Sequence, residues 1–204
     1  MKIISYYTKD TPYEDVMNDN LLPSLKKWNL DYEIKAYADR GNWSNNTAIK
    51  SEFIEEMLIK HKQPVVFLDC DATIEKYPSL LYEIPKDVDL GFHHFNWFGF
   101  WRGQWENKTN IQLLSGTMYW AYNEKVLNLI DGWMLKIKEN PHMWEQVTLQ
   151  KIVYARNDLK IFDIPQEYCC VVRQDYTVPD FIKDPIIIHW QASRKYARGE
   201  WRRK

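Results

Sequence analysis

Four apolar residues, Val65-Val66-Phe67-Leu68, run without a break into Asp69-Cys70-Asp71. A run this short, β-branched at its start and preceded by Pro64, predicts a strand buried on both faces. Sheets of that kind are covered by helices on both sides, so the run points to an α/β architecture. Its polar end adds a second constraint. A buried strand ending in Asp-x-Asp carries negative charge to the carboxyl edge of the sheet, where open α/β folds bind ligands. Side chains alternate along a strand, so Asp69 and Asp71 share a face if extended geometry persists that far. Two carboxylates so placed repel, and one pKa rises. A divalent cation removes the conflict, and hard oxygen ligands suit Mg²⁺ or Mn²⁺. The plainer alternative is a helix-capping aspartate followed by a turn residue.

The segments before this run supply the rest of the α/β pattern. Lys2 to Thr8 alternates and reads as the first strand. Thr11-Pro12-Tyr13-Glu14 fits a capping box with proline at the first helical position, opening a helix to about Trp28 that is kinked or restarted at Pro23. Asp31 to Asp39 alternates again. Ser44 or Asn45 caps a further helix, on which Ile49, Phe53, Ile54, Met57 and Leu58 form one stripe. The order β-α-β-α-β is the signature of a parallel sheet with crossover helices. No Gly-x-Gly-x-x-Gly or Walker sequence joins strand to helix, which disfavours an ordinary dinucleotide or P-loop site.

Beyond Asp71 the expected elements are a short helix at Ser79–Tyr82 and a strand Val88–His94. Ile111–Leu114 and Met118–Tyr122 read as two strands joined by a tight Ser115-Gly116-Thr117 turn. A helix follows from Asn123 to about Glu139, then another from Glu145 to Ala155, then strands Lys160–Ile164 and Ile186–Trp190. From Phe95 to Asn110 the chain has glycines, many aromatics and no period, the composition of a long ligand-contacting loop or a packed flap.

At 204 residues one domain, 1–204, is expected. No apolar run is long enough to span a bilayer, and the N-terminus is too quickly polar for a signal peptide. Three cysteines make no disulfide framework and point to a reducing, cytoplasmic setting, while the lack of a Cys/His cluster argues against structural zinc. Ten tryptophans and thirteen tyrosines offer flat apolar faces suited to sugars and nucleobases. Charge is uneven: the stretch from Arg194 to Lys204 carries +5, leaving −6 on the rest against a total of −1. A basic tail beside an acidic metal site suggests a phosphate-bearing ligand.

Taken in order, these motifs resemble a compact GT-A glycosyltransferase, in pattern a family 8-type nucleotide-sugar transferase. The family's Asp-x-Asp, which holds Mn²⁺ or Mg²⁺ against the donor diphosphate, is matched by Asp69 and Asp71. Its C-terminal His-x-x-Gly-x-x-Lys is matched in spacing by His189-Trp190-Gln191-Ala192-Ser193-Arg194-Lys195, with Ala192 for the glycine and no Pro-Trp after the lysine. The resemblance implies a Rossmann-like GT-A fold, a mixed, mainly parallel sheet flanked by helices. It also implies metal-dependent transfer of a sugar from a nucleotide-diphospho-sugar, a UDP-sugar first, to an acceptor hydroxyl on a saccharide or on modified DNA. By carry-over His189 is a third metal ligand and Lys195 grips the diphosphate. Lys50 turns a cation toward the donor, and Ser115 and Gly116 line the sugar pocket. Tyr6, Tyr7 and Thr8 bind the base, and Asp39 faces the ribose or base. Glu145 and Gln146 face the reacting sugar or the acceptor: Glu145 beneath the anomeric carbon would serve inversion, Gln146 there retention. His93, His94, Trp97, Trp101 and Trp105 are expected to line the acceptor cleft, with Arg102 and the basic tail available to DNA phosphates.

Two rival readings stand beside this one. Asp69-Cys70-Asp71-Ala72-Thr73 also fits the opening motif of haloacid-dehalogenase-like phosphatases, with Asp69 as nucleophile and Asp71 as acid/base. Against it, that motif normally opens the chain, the later acidic motif is missing, and the His189–Lys195 segment has no role. The other rival is a non-catalytic sugar- or nucleotide-binding module.

Overall fold

The structure, a computed structural model, describes residues 1–96 and 111–196. Its main sheet has six strands: β1 (Lys2–Thr8), β2 (Tyr32–Tyr37), β3 (Val65–Leu68), β5 (Leu90–Asn96), β6 (Ile111–Trp120) and β7 (Ile161–Asp163), in the order β2-β1-β3-β6-β5-β7. β1 pairs in parallel with both β2 and β3, and β7 in parallel with β5. β6 is antiparallel to both of its neighbours, β3 and β5. The sheet is therefore mixed and mainly parallel, as expected. β3 lies in its interior with all four residues buried, which is why its sequence is unbroken Val-Val-Phe-Leu.

Strand order also locates the binding edge. From β1 the chain steps to one side to make β2, then back across β1 to make β3. Right-handed crossovers in opposite directions put their helices on opposite faces and leave a crevice at the carboxyl ends of β1 and β3. The first crossover is α1 (Pro12–Val16), a π turn Met17–Leu21 and α2 (Leu22–Lys27). Thr11 caps it by accepting from the Tyr13 N–H, while Glu14 takes the Asp10 N–H, so the reciprocal bond of a capping box is not the one formed. The π turn ends two residues before Pro23, with the Leu22 N–H reaching back to the Met17 carbonyl. The restart expected at the proline is thus a widened turn in one continuous helical segment.

The second crossover is α3 (Trp43–His61). Its stripe Ile49, Phe53, Ile54, Met57 and Leu58 is fully buried. The cap is Asn42, whose side chain accepts from the Asn45 N–H, two or three positions before the expected Ser44 or Asn45. α3 packs against α5 (Glu124–Glu139) and α6 (Glu145–Tyr154), and α6 leans on β6.

A smaller sheet begins where β3 ends. β4 (Ala72–Ile74) pairs antiparallel with β9 (Ile187–His189), which pairs in parallel with β8 (Cys170–Val171). The short helices α4 (Ser79–Tyr82) and α7 (Ala192–Lys195) and a 3₁₀ turn Gln166–Tyr168 complete the described elements. Asp69-Cys70-Asp71 is the three-residue connection between the two sheets, turned by the Ala72 N–H bonding back to the Asp69 carbonyl.

One expected turn is not there. Ser115-Gly116-Thr117 lies inside the ten-residue strand β6. Pairing with β5 slips between Gly91 and His93, and this stretch turns instead to β3, where Thr117 faces Leu68 and the Asp69 N–H bonds the Gly116 carbonyl. Glycine is needed there for a different reason: a Cβ on Gly116 would lie 2.8 Å from Cε1 of His189.

Candidate active site

The carboxyl ends of β1, β3 and β9, the middle of β6 and the N-terminal ends of α3 and α6 surround a cavity of about 540 Å³. Asp69, Asp71 and His189 stand at its floor, and one ligand atom from each lies within 4.8 Å of the others. The local fold explains the convergence. Ala72 is paired with His189 across β4 and β9, so the residue before β4 and the residue ending β9 meet at one point. The Ala192 N–H then donates to Asp71 Oδ2 at 2.8 Å. Ala192 is buried, and the left-handed position in this bend is Gln191 (φ 56°), so alanine stands without strain where the resemblance expects glycine.

Hydrogen bonding fixes the histidine. Thr117 Oγ1 is 2.8 Å from both the Tyr168 carbonyl and His189 Nε2. Its single proton goes to the carbonyl, which can only accept, so the hydroxyl accepts from Nε2–H. Nδ1 is left buried with no hydrogen-bond partner and faces Asp71 Oδ1 at 3.6 Å. A buried orphaned nitrogen beside two carboxylates, its ring held by an outer hydrogen bond, is the donor set of a hard to borderline divalent cation. On this observation the residues fit Mn²⁺ or Mg²⁺.

Charge at the floor is balanced by a buried lysine. Lys50 Nζ lies 3.0 Å from Asp69 Oδ1 and 3.2 Å from Glu145 Oε1, and it bonds the carbonyl and hydroxyl of Ser115. Its side chain is 4% exposed, so the alternative of a solvated helix lysine does not hold. Burial works against its charge, but Asp69 and Glu145 outweigh it and hold the pKa above the usual lysine range. Three carboxylates against one ammonium leave two negative charges, which a divalent cation would neutralise with His189 uncharged. Burial raises the pKa of Asp69; Lys50 pulls it down and the Asp71 charge pushes it up, and the net direction is up. Asp71 is held below the carboxylate range, because His189 and the Ala192 N–H outweigh its burial. Burial opposes an imidazolium at His189, but Cys169 and Asp71 outweigh it and place its pKa at about 10. A metal ion entering here therefore displaces a proton.

The remaining expected residues divide into two groups. Tyr6, Tyr7 and Thr8 of β1 line the cavity, as do Ser115, Gly116, Glu145 and Gln146. Gln146 Oε1 accepts from the backbone N–H of Ser115, and Glu145 is buried against Lys50. Asp39 is not among the lining residues; its carboxylate accepts from the Gly41 N–H and from Asn46, which does line the wall. Lys195 is exposed, with its ammonium over the Tyr196 ring at 5.3 Å, and Arg194 takes the place on the wall. His93 and His94 also lie off the cavity, bonded to the Ile164 carbonyl and to Asp163. Trp97, Trp101, Arg102, Trp105, Arg198, Arg202, Arg203 and Lys204 lie outside the described residues. Trp43, Asn46, Thr47 and Trp144 were not expected at the site. The first three and Lys50 recur at i, i+3, i+4 and i+7, a spacing that places them on one face of α3.

Comparison with family models and with curated proteins gave no match. Solved structures do match. A glycosyltransferase involved in glycosylation of the major capsid of the virus PBCV-1 aligns over 98% of this chain and 97% of its own, with TM-score 0.71 and 15% identity. The galactosyltransferase LgtC, solved in complex with donor and acceptor sugar analogs, aligns over 94% of this chain and 87% of its own, with TM-score 0.58 and 10% identity. Mouse xyloside xylosyltransferase 1 aligns over 93% of this chain and 97% of its own, with TM-score 0.56 and 11% identity. The fold is that of GT-A glycosyltransferases. Among the described residues no helix is long and apolar enough to cross a membrane.

Proposed function

We propose that the chain, acting as one domain, is a metal-dependent glycosyltransferase that takes a sugar from a nucleotide-diphospho-sugar, a UDP-sugar first, and passes it to an acceptor hydroxyl. The observation that carries this reading is the orphaned Nδ1 of His189 facing Asp69 and Asp71 on the floor of a ligand-sized cavity, in a fold shared with glycosyltransferases. Asp69, Asp71 and His189 would hold Mn²⁺ or Mg²⁺, and the bound ion would supply Lewis-acid stabilisation of the leaving nucleoside diphosphate.

The protein's own groups have separable parts. Tyr6, Tyr7 and Thr8 bound the nucleoside side of the cavity, and Arg194 offers a cation to the diphosphate where Lys195 was expected. In the transfer, the anomeric C–O bond breaks and its electron pair leaves with the diphosphate. The acceptor oxygen forms the new bond at that carbon and gives up its proton to the leaving phosphate or to solvent. Lys50 and the Gln146 amide border the sugar pocket. The Glu145 carboxylate is engaged by Lys50 and Ser115, so it positions that lysine rather than serving as a free base. The shared fold counts against the phosphatase reading.

A thermal-shift panel of nucleotides and nucleotide-sugars, with and without Mn²⁺, tests the proposal. A UDP-sugar should stabilise the wild type only when Mn²⁺ is present, and Asp71→Ala should abolish that shift while leaving a folded protein. Equal shifts with and without Mn²⁺ would sink the metal-dependent reading.

A further inference from the structure

The cavity changes character as it passes the metal floor. On one side of it four buried side chains, Phe95, Leu114, Cys169 and Val171, form an apolar cluster separate from the main core. All four line the cavity. Pairing of strands fixes where they stand. Val171 is paired with His189 across β8 and β9, so the patch begins beside the third member of the triad. Leu114 lies two residues before Gly116, on which the His189 ring rests, about 7 Å along β6. Phe95 comes from β5, the neighbour of β6 on the side away from β3. The strand order β1-β3-β6-β5 therefore sets the patch across the aspartates from β1, the side given above to the nucleoside.

The patch offers a hydroxyl almost nothing. Of its four side chains only the Cys169 thiol can donate a hydrogen bond, and weakly. The polar groups next to Leu114 are engaged: the Leu113 N–H by Gln150, and the Ser115 N–H and hydroxyl by Gln146. The Cys169 N–H bonds the Gln166 carbonyl. A hydroxyl pressed here would lose its water and gain no partner, which is costly.

A sugar hanging from a diphosphate on the ion runs in this direction. Its anomeric end stays with the ion, Lys50 and Gln146, so the edge that reaches Leu114 is the distal one. A ring carbon that merely lacks its hydroxyl would leave a gap against the patch, whereas a methyl on C5 would fill it.

We infer that the transferred sugar is a 6-deoxyhexose whose methyl group seats on Leu114, Phe95, Cys169 and Val171. This rests on the donor reading above and names the class of sugar for the same site.

The test is isothermal titration in Mn²⁺ with UDP and with matched donors: UDP-glucose against UDP-6-deoxyglucose, and UDP-galactose against UDP-6-deoxygalactose. In at least one pair the wild type should bind the 6-deoxy donor about tenfold or more tighter, within the range by which an apolar pocket rejects an added hydroxyl. Leu114→Asn should cut that preference below about threefold by giving the hydroxyl a partner, and Leu114→Met should keep it. UDP alone, lacking the sugar, should bind all three proteins alike and so report that each is folded. A wild-type preference under threefold in both pairs overturns the inference while leaving the donor reading intact. A preference that survives Leu114→Asn in a protein that still binds UDP also overturns it. A wild type that binds neither UDP nor any of the four donors refutes the donor reading and this inference with it.

Discussion

Single side chains carry most of the functional argument, and Gly116 is the sharpest case. It has no catalytic group, yet the His189 ring rests against its Cα, and a methyl there would approach Cε1 to 2.8 Å and Nδ1 to 2.9 Å. The ring must then swing, losing its bond to Thr117 or its aim at the aspartates. Gly116→Ala should weaken Mn²⁺ binding about 10- to 100-fold, the usual scale for disturbing the support of a metal ligand. Isothermal titration with Mn²⁺ reads this directly. The neighbours Arg194 and Lys195 offer a second comparison. Arg194 donates to the Val172 and Arg173 carbonyls and lines the cavity, whereas Lys195 faces Tyr196. Replacing Arg194 by Met should weaken UDP binding about tenfold or more, the scale of a lost charge-assisted contact. Lys195→Met should leave it within about twofold, with fold integrity followed by circular dichroism.

At the scale of elements, β3, α3 and β9 could be read from sequence because each carries a local signal. An unbroken apolar run, a buried stripe at helical spacing and an apolar strand ending in histidine are legible without tertiary knowledge. Where the reading failed, a distant partner decided. Ser115-Gly116-Thr117 has the composition of a turn, but β3 and the side chain of Gln146 occupy its backbone groups and keep it a strand. Asn42, Ser44 and Asn45 can all cap a helix; Asn42 takes the role by accepting from the Asn45 N–H, while the Asn45 side chain is turned to the Arg40 carbonyl. Lys50 reads as exposed or buried with equal ease until Asp69 and Glu145 are seen to converge on it. That convergence ties α3 to the ends of β3 and α6. Removing one partner from such a buried set strands the others, so Lys50→Met should cost about 3–5 kcal/mol in chemical denaturation. Combined with Glu145→Gln it should cost less than the two single losses added, since each change removes a charge the other left uncompensated.

Across the whole molecule, pH dependence should follow the carboxylates that tie the layers together. Asp89 is 3% exposed and accepts from Asn123 Nδ2, Lys125 Nζ and the Lys160 N–H, joining the start of α5 to the approaches of β5 and β7. Burial raises its pKa, but Lys125, the Lys160 N–H and Asn123 outweigh it and hold the group below its ordinary value. A depressed folded pKa contributes stability above the unfolded value of about 4 and loses it as pH falls through the folded one. Urea midpoints should therefore drop below pH 4, and Asp89→Asn should flatten that drop while lowering the midpoint at pH 7.

Asp69-Cys70-Asp71 carries the chain from one sheet to the other at the cavity floor, beside the Thr117–His189 hydrogen bond that also links them, and this gives the motif a second meaning. Its length is a span: one acid belongs to the end of the larger layer, the other to the beginning of the smaller, and Cys70 is the gap. An inserted residue would leave both acids in the sequence and pull them out of register with His189. The spacing that looks like a signature for an ion is also the tolerance of a joint.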